Sequence, residues 1–276
     1  MRFVTAEHDG RRLAGLLDGE QVIPLDGIAE LGADTPRALL ADPPLAPERA
    51  IPLADVRLLP PVPNPRRVIC VGLNYKTHVH ETGRELPTYP VLFTKFASSL
   101  LGPSDPIALP PEAAQVDWEA ELAVVIGERC RRVPRADALD VVAGYTVAND
   151  VTMRDYQYKT HQWLQGKAWD RSTPLGPALV TPDEVGDPGA LEISLTRNGE
   201  TMQAASTSKL IFDVATLIAT VSEFTTLDPG DVLLTGTPGG VGYRRDPQVF
   251  LADGDVVAVE ISRVGRIESR VTLETA

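Results

Sequence analysis

The sequence has little cysteine and no excess of positive charge, and each deficit excludes a class of protein. Its 276 residues include two cysteines, Cys70 and Cys130. Two such isolated residues make neither a disulfide framework nor a Cys-x-x-Cys zinc site. Acidic residues outnumber basic ones by 38 to 26, for a formal net charge of −12. Because nucleic acids and anionic membranes repel a negative surface, we expect neither to be a partner.

Long apolar runs and common catalytic motifs are also missing. No stretch of about 18 apolar residues that could span a bilayer occurs. The first residues, MRFVTAEHDG, lack the apolar core of a signal peptide. We therefore expect a cytoplasmic protein. The glycine-rich segment at 236–242 does not spell a dinucleotide-binding motif. The chain also has no phosphate-binding loop, serine-hydrolase elbow or HExxH zinc motif.

The chain does contain enough apolar sequence for a sizeable core, divided at a proline-rich segment. Hydrophobic residues make up 43% and charged residues 23% of it, as is usual for a globular protein. Three short strand-like runs and one helical segment predict a small N-terminal α/β domain, at 2–6, 12–17, 21–25 and 36–41. Prolines then recur up to Pro65. We place the boundary near residue 63, with a small domain at 1–62 and a catalytic domain at 63–276.

Beyond this boundary, patterns typical of strands outnumber those typical of helices. Apolar runs of strand length occur at 67–72, 119–126, 141–149, 191–197, 231–235 and 255–261. Residues 208–225 have apolar positions spaced as on one helix face. The segment 152–164 suits either a polar helix or a structured loop. We predict an α+β fold, mostly β with one or two packed helices, rather than an alternating βαβ sheet.

Acidic residues beside two of these strands indicate a metal site. Glu119 and Glu121 are two apart and would project from the same strand face, with Asp117 behind them. Asp150 ends the strand at 141–149. Neighbouring carboxylates repel unless water or a cation separates them. Either the face is solvated, or three oxygen donors hold a hard cation, Mg²⁺ or Mn²⁺ first and Ca²⁺ next.

Two further groups of residues could carry chemistry. His78 and Glu81 are three apart, so one helical turn would let the carboxylate orient the imidazole as a base. The alternative is a pair of exposed polar residues. Arg154 and Lys167 would bring positive charge near the carboxylates and suit an anionic ligand that chelates the metal. The alternative for Lys167 is an ordinary surface lysine.

Five ordered blocks resemble the fumarylacetoacetate hydrolase superfamily. They are GLNYKTHVHE (72–81), DWEAELAVVIG (117–127), ANDVTMRDYQ (148–157), GKAWDRSTPLGP (166–177) and LLTGTPGGVG (233–242). The resemblance runs from about Val68 to the C-terminus. It implies a mixed β-roll around a metal, usually dimeric, so we expect a homodimer. The smaller prokaryotic-type members have a short N-terminal domain, as predicted for this chain.

The resemblance also implies roles for individual residues. Glu119, Glu121 and Asp150 match the metal ligands, and His78 and Glu81 match a water-activating dyad. Lys167 matches a lysine that contacts substrate oxygens near the metal. The remaining matches are to substrate-pocket positions, namely Arg154, Gln157, Thr237 and Lys95. One departure is the segment WDRST at 169–173, where members commonly have a Phe-Asp-Thr-Phe-type sequence.

The reaction expected from this resemblance is cleavage of a C–C bond in a small anionic 2,4-dioxo acid, such as an acylpyruvate or fumarylpyruvate. Its products would be a carboxylic acid and pyruvate. A first alternative keeps the metal-enolate chemistry without attack by water. It is an isomerase or decarboxylase of a 2-hydroxymuconate-type or oxaloacetate-like acid. A second alternative is a binding or scaffold protein that retains the fold without the chemistry.

Overall fold

The computed structural model describes residues 1–83 and 85–274, which form nineteen strands and six α-helices. The strands are β1 (Arg2–His8), β2 (Arg11–Asp18), β3 (Gln21–Pro24), β4 (Ile51–Pro52), β5 (Arg57–Leu58), β6 (Val68–Gly72), β7 (Val91–Lys95), β8 (Leu100–Leu101), β9 (Ile107–Leu109), β10 (Val116–Asp117), β11 (Ala120–Ile126), β12 (Val142–Asn149), β13 (Thr152–Met153), β14 (Thr173–Val180), β15 (Glu192–Arg197), β16 (Glu200–Ser206), β17 (Val232–Leu234), β18 (Val256–Ile261) and β19 (Gly265–Leu273). The helices are α1 (Arg37–Ala41), α2 (Lys76–Thr82), α3 (Arg154–Gln157), α4 (Leu164–Lys167), α5 (Pro182–Val185) and α6 (Val214–Phe224).

A mixed sheet of twelve strands forms the frame of the molecule. Its main path runs β4-β3-β2-β1-β14-β12-β11-β17-β6-β7, with β5 paired to β1 and β8 to β14. A second sheet has the order β16-β15-β18-β19-β9, and β10 and β13 form a two-stranded pair. Since strands predominate and most of the helices span only four to seven residues, the predicted α+β class is confirmed.

The N-terminal strands extend this frame instead of forming a separate sheet. Strand β1 is antiparallel to β14, with Arg2 opposite Val180. Residues 1–62 therefore share backbone hydrogen bonds with the body of the chain. The boundary near residue 63 stays a prediction about folding units, and the homodimer stays a prediction as well.

Strands β11 and β12 are the buried centre of the large sheet. Every residue of both is buried, in keeping with their nearly continuous apolar sequences. They are antiparallel, with Ala120 opposite Asn149. Apolar side chains of β11, such as Leu122, share one core with Leu195 and Val259 of the second sheet. The two strands therefore form a rigid support for whatever projects from their ends.

The helix predicted over 208–225 is shorter than its apolar stripe. Helix α6 begins at Val214 because Asp213, in extended geometry, caps it and accepts a hydrogen bond from the backbone N–H of Thr216 at 2.8 Å. The segment 152–164 contains β13, α3 and a turn before α4. No helix in residues 1–83 and 85–274 combines the length and apolarity needed to cross a membrane.

Candidate metal centre

Three buried carboxylates meet where β11 begins and β12 ends. One oxygen from each of Glu119, Glu121 and Asp150 lies within 4.8 Å of those of the other two. The antiparallel pairing explains this, because the backbone N–H of Asp150 donates to the carbonyl of Glu119 at 2.9 Å. Glu121 is two residues further along β11 and projects from the same face. Asp117 lies outside this group.

Two lysines contact the carboxylates from separate elements. Lys167 Nζ, at the end of α4, lies 2.7 Å from Glu119 Oε2 and 2.8 Å from Asp150 Oδ2. Lys95 Nζ, at the end of β7, lies 2.7 Å from Asp150 Oδ1 and also donates to the carbonyl of Val151. Lys95 is buried and does not line the cleft described below. Its position is therefore that of a counter-charge behind Asp150.

The electrostatics of the carboxylates are unequal. Burial alone would raise the pKa of Glu119, but Lys167 and Arg154 outweigh it and lower that pKa to about 2. Burial, followed by the charges of Asp150 and Glu119, raises the pKa of Glu121 well above its usual value. Burial also opposes the charged form of Lys167, yet the neighbouring carboxylates raise its pKa. Glu121 is thus the carboxylate whose charge the surrounding cations compensate least.

The donor set fits a divalent cation. Carboxylate oxygens are the ligands that Mg²⁺, Mn²⁺ and Ca²⁺ prefer. Counting Asp117, four buried carboxylates face three buried cations, Lys95, Lys167 and Arg154. If all seven groups are ionised, the cluster carries one net negative charge. A dication would change that to one positive charge and would give the site an attraction for anions.

Arg154 is held by a clamp that Asp117 provides. Its Nε donates to Asp117 Oδ2 at 2.8 Å, and its Nη1 donates to Gln157 Oε1 at 2.9 Å. Its Nη2 is 2.8 Å from Glu119 Oε1 but makes no well-aligned hydrogen bond. Asp117 also accepts hydrogen bonds from the backbone N–H groups of Gly242 and Tyr243. One buried donor of Arg154 therefore remains available beside the triad.

A glycine allows Lys167 to reach the triad. Helices α3 and α4 pack closely at Gly166, where a Cβ would lie 2.5 Å from the Cα of Gln157. Any larger residue would push the two helices apart. Lys167, the next residue, would then move away from Glu119 and Asp150.

Helix α2 brings His78 and Glu81 together, as their spacing predicts. Nδ1 of His78 lies 3.5 Å from Glu81 Oε2, and this buried nitrogen has no hydrogen-bond partner. The other oxygen of Glu81 accepts a hydrogen bond from the backbone N–H of Gly240 at 2.7 Å. Gly239 makes this approach possible, because a Cβ there would lie 2.6 Å from Glu81 Oε1. The dyad is therefore joined to the glycine-rich loop after β17.

Several of these groups line one cleft, and we call it the site cleft. Its polar lining consists of His78, Thr82, Glu119, Arg154, Gln157, Lys167, Thr237 and Arg244. Aromatic rings line the rest, including Phe93, Tyr158, Trp163 and Tyr243. The cavity volume of the cleft is about 30 Å³, which is enough for roughly one or two water molecules. Of the residues predicted to bind substrate, Arg154, Gln157 and Thr237 line the site cleft, whereas Lys95 does not.

Sequence reasoning missed two contacts at this site. The clamp that Asp117 makes on Arg154 and the contact of Gln203 with Thr237 join segments far apart in sequence. Gln203 is a buried polar residue on a short strand, and no motif or spacing marks it. The place of the loop at 244–247, just after the glycine-rich loop, favours a pocket-lining role, and Arg244 does line the site cleft.

Comparison with known proteins assigns the family. Residues 67–272 match the family described as "Fumarylacetoacetate (FAA) hydrolase C-terminal", and residues 1–61 match "Rv2993c-like, N-terminal". The chain belongs to the fumarylacetoacetate hydrolase family. The resemblance predicted from the five sequence blocks is thus confirmed.

Similar members of this family carry several different names. The chain is 50% identical to the oxaloacetate tautomerase Fahd2a, mitochondrial, of Rattus norvegicus over 236 residues, which cover 85% of this chain and 74% of that protein. The 2-hydroxyhepta-2,4-diene-1,7-dioate isomerase of Mycobacterium marinum is 35% identical, with a TM-score of 0.85 and complete coverage of both chains. A maleylpyruvate hydrolase from Sphingobium sp. SYK-6 is 34% identical, with a TM-score of 0.80 over 99% of this chain and all of that one. These names support an enzyme of the family and leave a hydrolase or an isomerase-type reaction open.

Proposed function

We propose that this chain is a divalent-metal-dependent tautomerase, which interconverts the keto and enol forms of a small 2-oxo dicarboxylic acid such as oxaloacetate. The observation that carries the proposal is the position of His78. It lines the same cleft as Glu119 and Lys167, and its Nδ1 lies 3.5 Å from Glu81 Oε2. Glu119, Asp150 and the cations around them are engaged in ion pairs. An imidazole can both take up and release a proton at neutral pH.

The residues of the chain would divide the work as follows. Glu119, Glu121 and Asp150 would hold a divalent cation, which would polarise the 2-oxo group and favour loss of a proton from C3. His78 would take that proton and return it to the 2-oxygen, which balances the tautomerisation without an external reactant. Glu81 would orient the imidazole. The surrounding aromatic side chains would limit the entry of water.

Two cationic groups support an acidic substrate. The Nη2 donor of Arg154 lies 2.8 Å from Glu119 Oε1 without a well-aligned hydrogen bond, and it suits the carboxylate next to the 2-oxo group. Arg244 lines the same cleft with its guanidinium carbon 5.2 Å from the ring centre of Tyr243. Among residues 1–83 and 85–274, no carboxylate pairs with the Arg244 side chain. It is therefore available for the second carboxylate of a dicarboxylic acid.

Hydrolysis of a 2,4-dioxo acid, as predicted from the sequence, is the second candidate. The observation that favours it is the His78–Glu81 dyad, since a carboxylate 3.5 Å from an imidazole can prepare it to activate water. The same metal site would stabilise the pyruvate enolate that leaves when the C–C bond breaks. The two candidates therefore differ in whether His78 acts on carbon or on water.

One assay panel distinguishes the candidates. Protein treated with a chelator and then resupplied with Mg²⁺ or Mn²⁺ is mixed with freshly dissolved oxaloacetate, whose enol absorbance is followed, and separately with acetylpyruvate, whose release of pyruvate is measured. We expect metal-dependent acceleration of enol decay that Glu119→Gln abolishes. If the protein releases pyruvate from acetylpyruvate but does not accelerate the decay of the oxaloacetate enol, the proposed activity would be hydrolysis rather than tautomerisation. Equal activity with and without the chelator would refute both.

A further inference from the structure

Gln203 connects the metal-binding strand to the glycine-rich loop. It lies on β16, in the second sheet, and is 1% exposed. Its Oε1 accepts a hydrogen bond from the backbone N–H of Ala120 at 2.9 Å. Its Nε2 donates to Thr237 Oγ1 at 2.9 Å and to the carbonyl of Pro238 at 2.8 Å. Since Ala120 separates Glu119 from Glu121, a single side chain joins the triad to the loop that contains Thr237.

The partners of Gln203 determine which way its amide faces. The N–H of Ala120 can only donate and the carbonyl of Pro238 can only accept, so Oε1 must face Ala120 and Nε2 must face the loop. Both Nε2 hydrogens are then used, one on Pro238 and one on Thr237. The Thr237 hydroxyl is consequently an acceptor toward Gln203. Its own hydrogen must point elsewhere.

The hydroxyl hydrogen of Thr237 can point into the site cleft. Thr237 is 3% exposed and lines the cleft together with Arg154 and Lys167. In the described part of the chain, Thr237 Oγ1 donates to no protein acceptor. A carboxylate ligand in the cleft would supply the missing acceptor, and a hydrogen bond to a charged group is stronger than one between neutral groups.

We propose that Gln203 is a positioning residue that keeps the Thr237 hydroxyl oriented as a donor toward the substrate carboxylate. This inference rests on the proposed function, because it requires a 2-oxo acid in the site cleft. Gln203 does not touch the substrate. It acts by donating a hydrogen bond to the Thr237 hydroxyl oxygen, and by holding the glycine-rich loop at a fixed position relative to β11.

Gln203→Glu tests the direction of the bond. The new carboxylate can still accept from Ala120, but it must also accept from Thr237, so the hydroxyl hydrogen turns away from the cleft. The probe is oxalate, a dianion with vicinal oxygens like those of a 2-oxo acid enolate, titrated by calorimetry into Mn²⁺-loaded protein. We expect the Kd of oxalate to rise by about tenfold to a hundredfold, which corresponds to the loss of one hydrogen bond to a charged group. In turnover, KM should rise while kcat changes little, as for a uniform binding contact.

The Thr237→Val background separates this effect from simple charge repulsion. If Gln203 acts through the hydroxyl, adding Gln203→Glu to Thr237→Val should change the Kd by no more than about twofold. Gln165→Glu is the matched control, because Gln165 Nε2 donates to the Thr160 hydroxyl in the same way on the exposed surface. We expect that control to leave oxalate binding unchanged.

Each outcome is decisive. A wild-type protein that binds no oxalate in the presence of metal would overturn the proposed function, and this inference with it. A wild-type protein that binds oxalate while Gln203→Glu binds it equally well would overturn the inference alone. The inference alone would also be overturned if Gln203→Glu weakened oxalate binding as strongly in the Thr237→Val background as in the wild type. If Gln203→Glu fails to fold in a thermal melt, Gln203→Met replaces it, with a smaller loss expected that also disappears in the Thr237→Val background.

Discussion

Replacing Lys95 with methionine would remove the positive charge behind Asp150 while keeping much of the side-chain volume. Lys95 Nζ and Asp150 Oδ1 are 2.7 Å apart, and both side chains are 0% exposed. With this lysine gone, the cluster of four carboxylates would face only two cations, and its net charge would become twice negative if all six groups are ionised. The perturbation therefore tests whether lysines and a metal ion compensate the same negative charge.

The expected cost follows from burial. Removing one partner of a buried ion pair destabilises a protein by about 3 to 5 kcal/mol when the other charge is left without compensation. Asp150 keeps its contact with Lys167 at 2.8 Å, so we expect the lower end of this range, about 3 kcal/mol. For a chain of this size that lowers the Tm by about 6 to 12 °C. A dication should bind the variant more tightly than the wild type. At a hundred times its Kd it stabilises the folded state by about 2.7 kcal/mol, which would restore a large part of the loss.

Thermal melts with and without Mn²⁺ measure both quantities. We expect a large drop in Tm for Lys95→Met without metal, and a larger increase on adding Mn²⁺ than for the wild type. Lys159→Met is the control, since Lys159 is an exposed cation resting 3.3 Å from the ring centre of Tyr156, and its loss should cost less than about 0.5 kcal/mol. If Mn²⁺ raises the Tm of wild type and Lys95→Met by the same amount, the charge argument is wrong.

Three further predictions concern substrate choice, proton transfer and helix capping. Arg244→Gln should raise the KM for oxaloacetate about tenfold and leave the KM for acetylpyruvate unchanged, whereas the control Lys159→Gln should change neither. Equal effects of Arg244→Gln on both substrates would show that Arg244 does not recognise the second carboxylate. His78→Asn should abolish the acceleration of enol decay by the protein without changing the Kd of Mn²⁺. If the acceleration survives, His78 is not the base. Burial opposes ionisation of Asp213, but its hydrogen bonds with Thr216 outweigh it and lower the pKa of Asp213. The helix cap that Asp213 provides should therefore add about 1 kcal/mol to the free energy of unfolding above the unfolded pKa of about 4. This contribution is lost as the pH falls through the lower pKa that Asp213 has in the folded state. Denaturant melts should show Asp213→Ala less stable than wild type at pH 7 and the difference shrinking below pH 4, and a constant difference would contradict the assignment.

Local pattern was sufficient for the shared face of Glu119 and Glu121 and for the dyad. Glu119 and Glu121 share a face because strand side chains alternate, and His78 meets Glu81 because one helical turn separates them. These two relations depend on backbone periodicity, which a sequence displays. The sequence also indicates that Asp150 ends a strand, but the pairing of β12 with β11, across a connection that runs from 127 to 141, is seen only in the fold.

The start of helix α6 is a feature that the local sequence pattern does not predict. Its apolar stripe extends from Leu210, yet the helix begins at Val214 because Asp213 caps it and Leu210 pairs with Tyr75 in a β-bridge. Tyr75 precedes Leu210 by 135 positions in the sequence, so nothing in the local pattern indicates this bridge.

The sequence by itself determined the family, the α+β class and the acidic residues suited to a hard cation, since each depends on residue types at short, regular spacing. Only the tertiary structure decided that Lys95 lies behind Asp150 rather than in the site cleft, that Asp117 clamps Arg154, and that Gln203 donates a hydrogen bond to Thr237. These contacts join strands and loops separated by tens of residues. Their geometry depends on how two sheets pack, and no spacing along the chain encodes that.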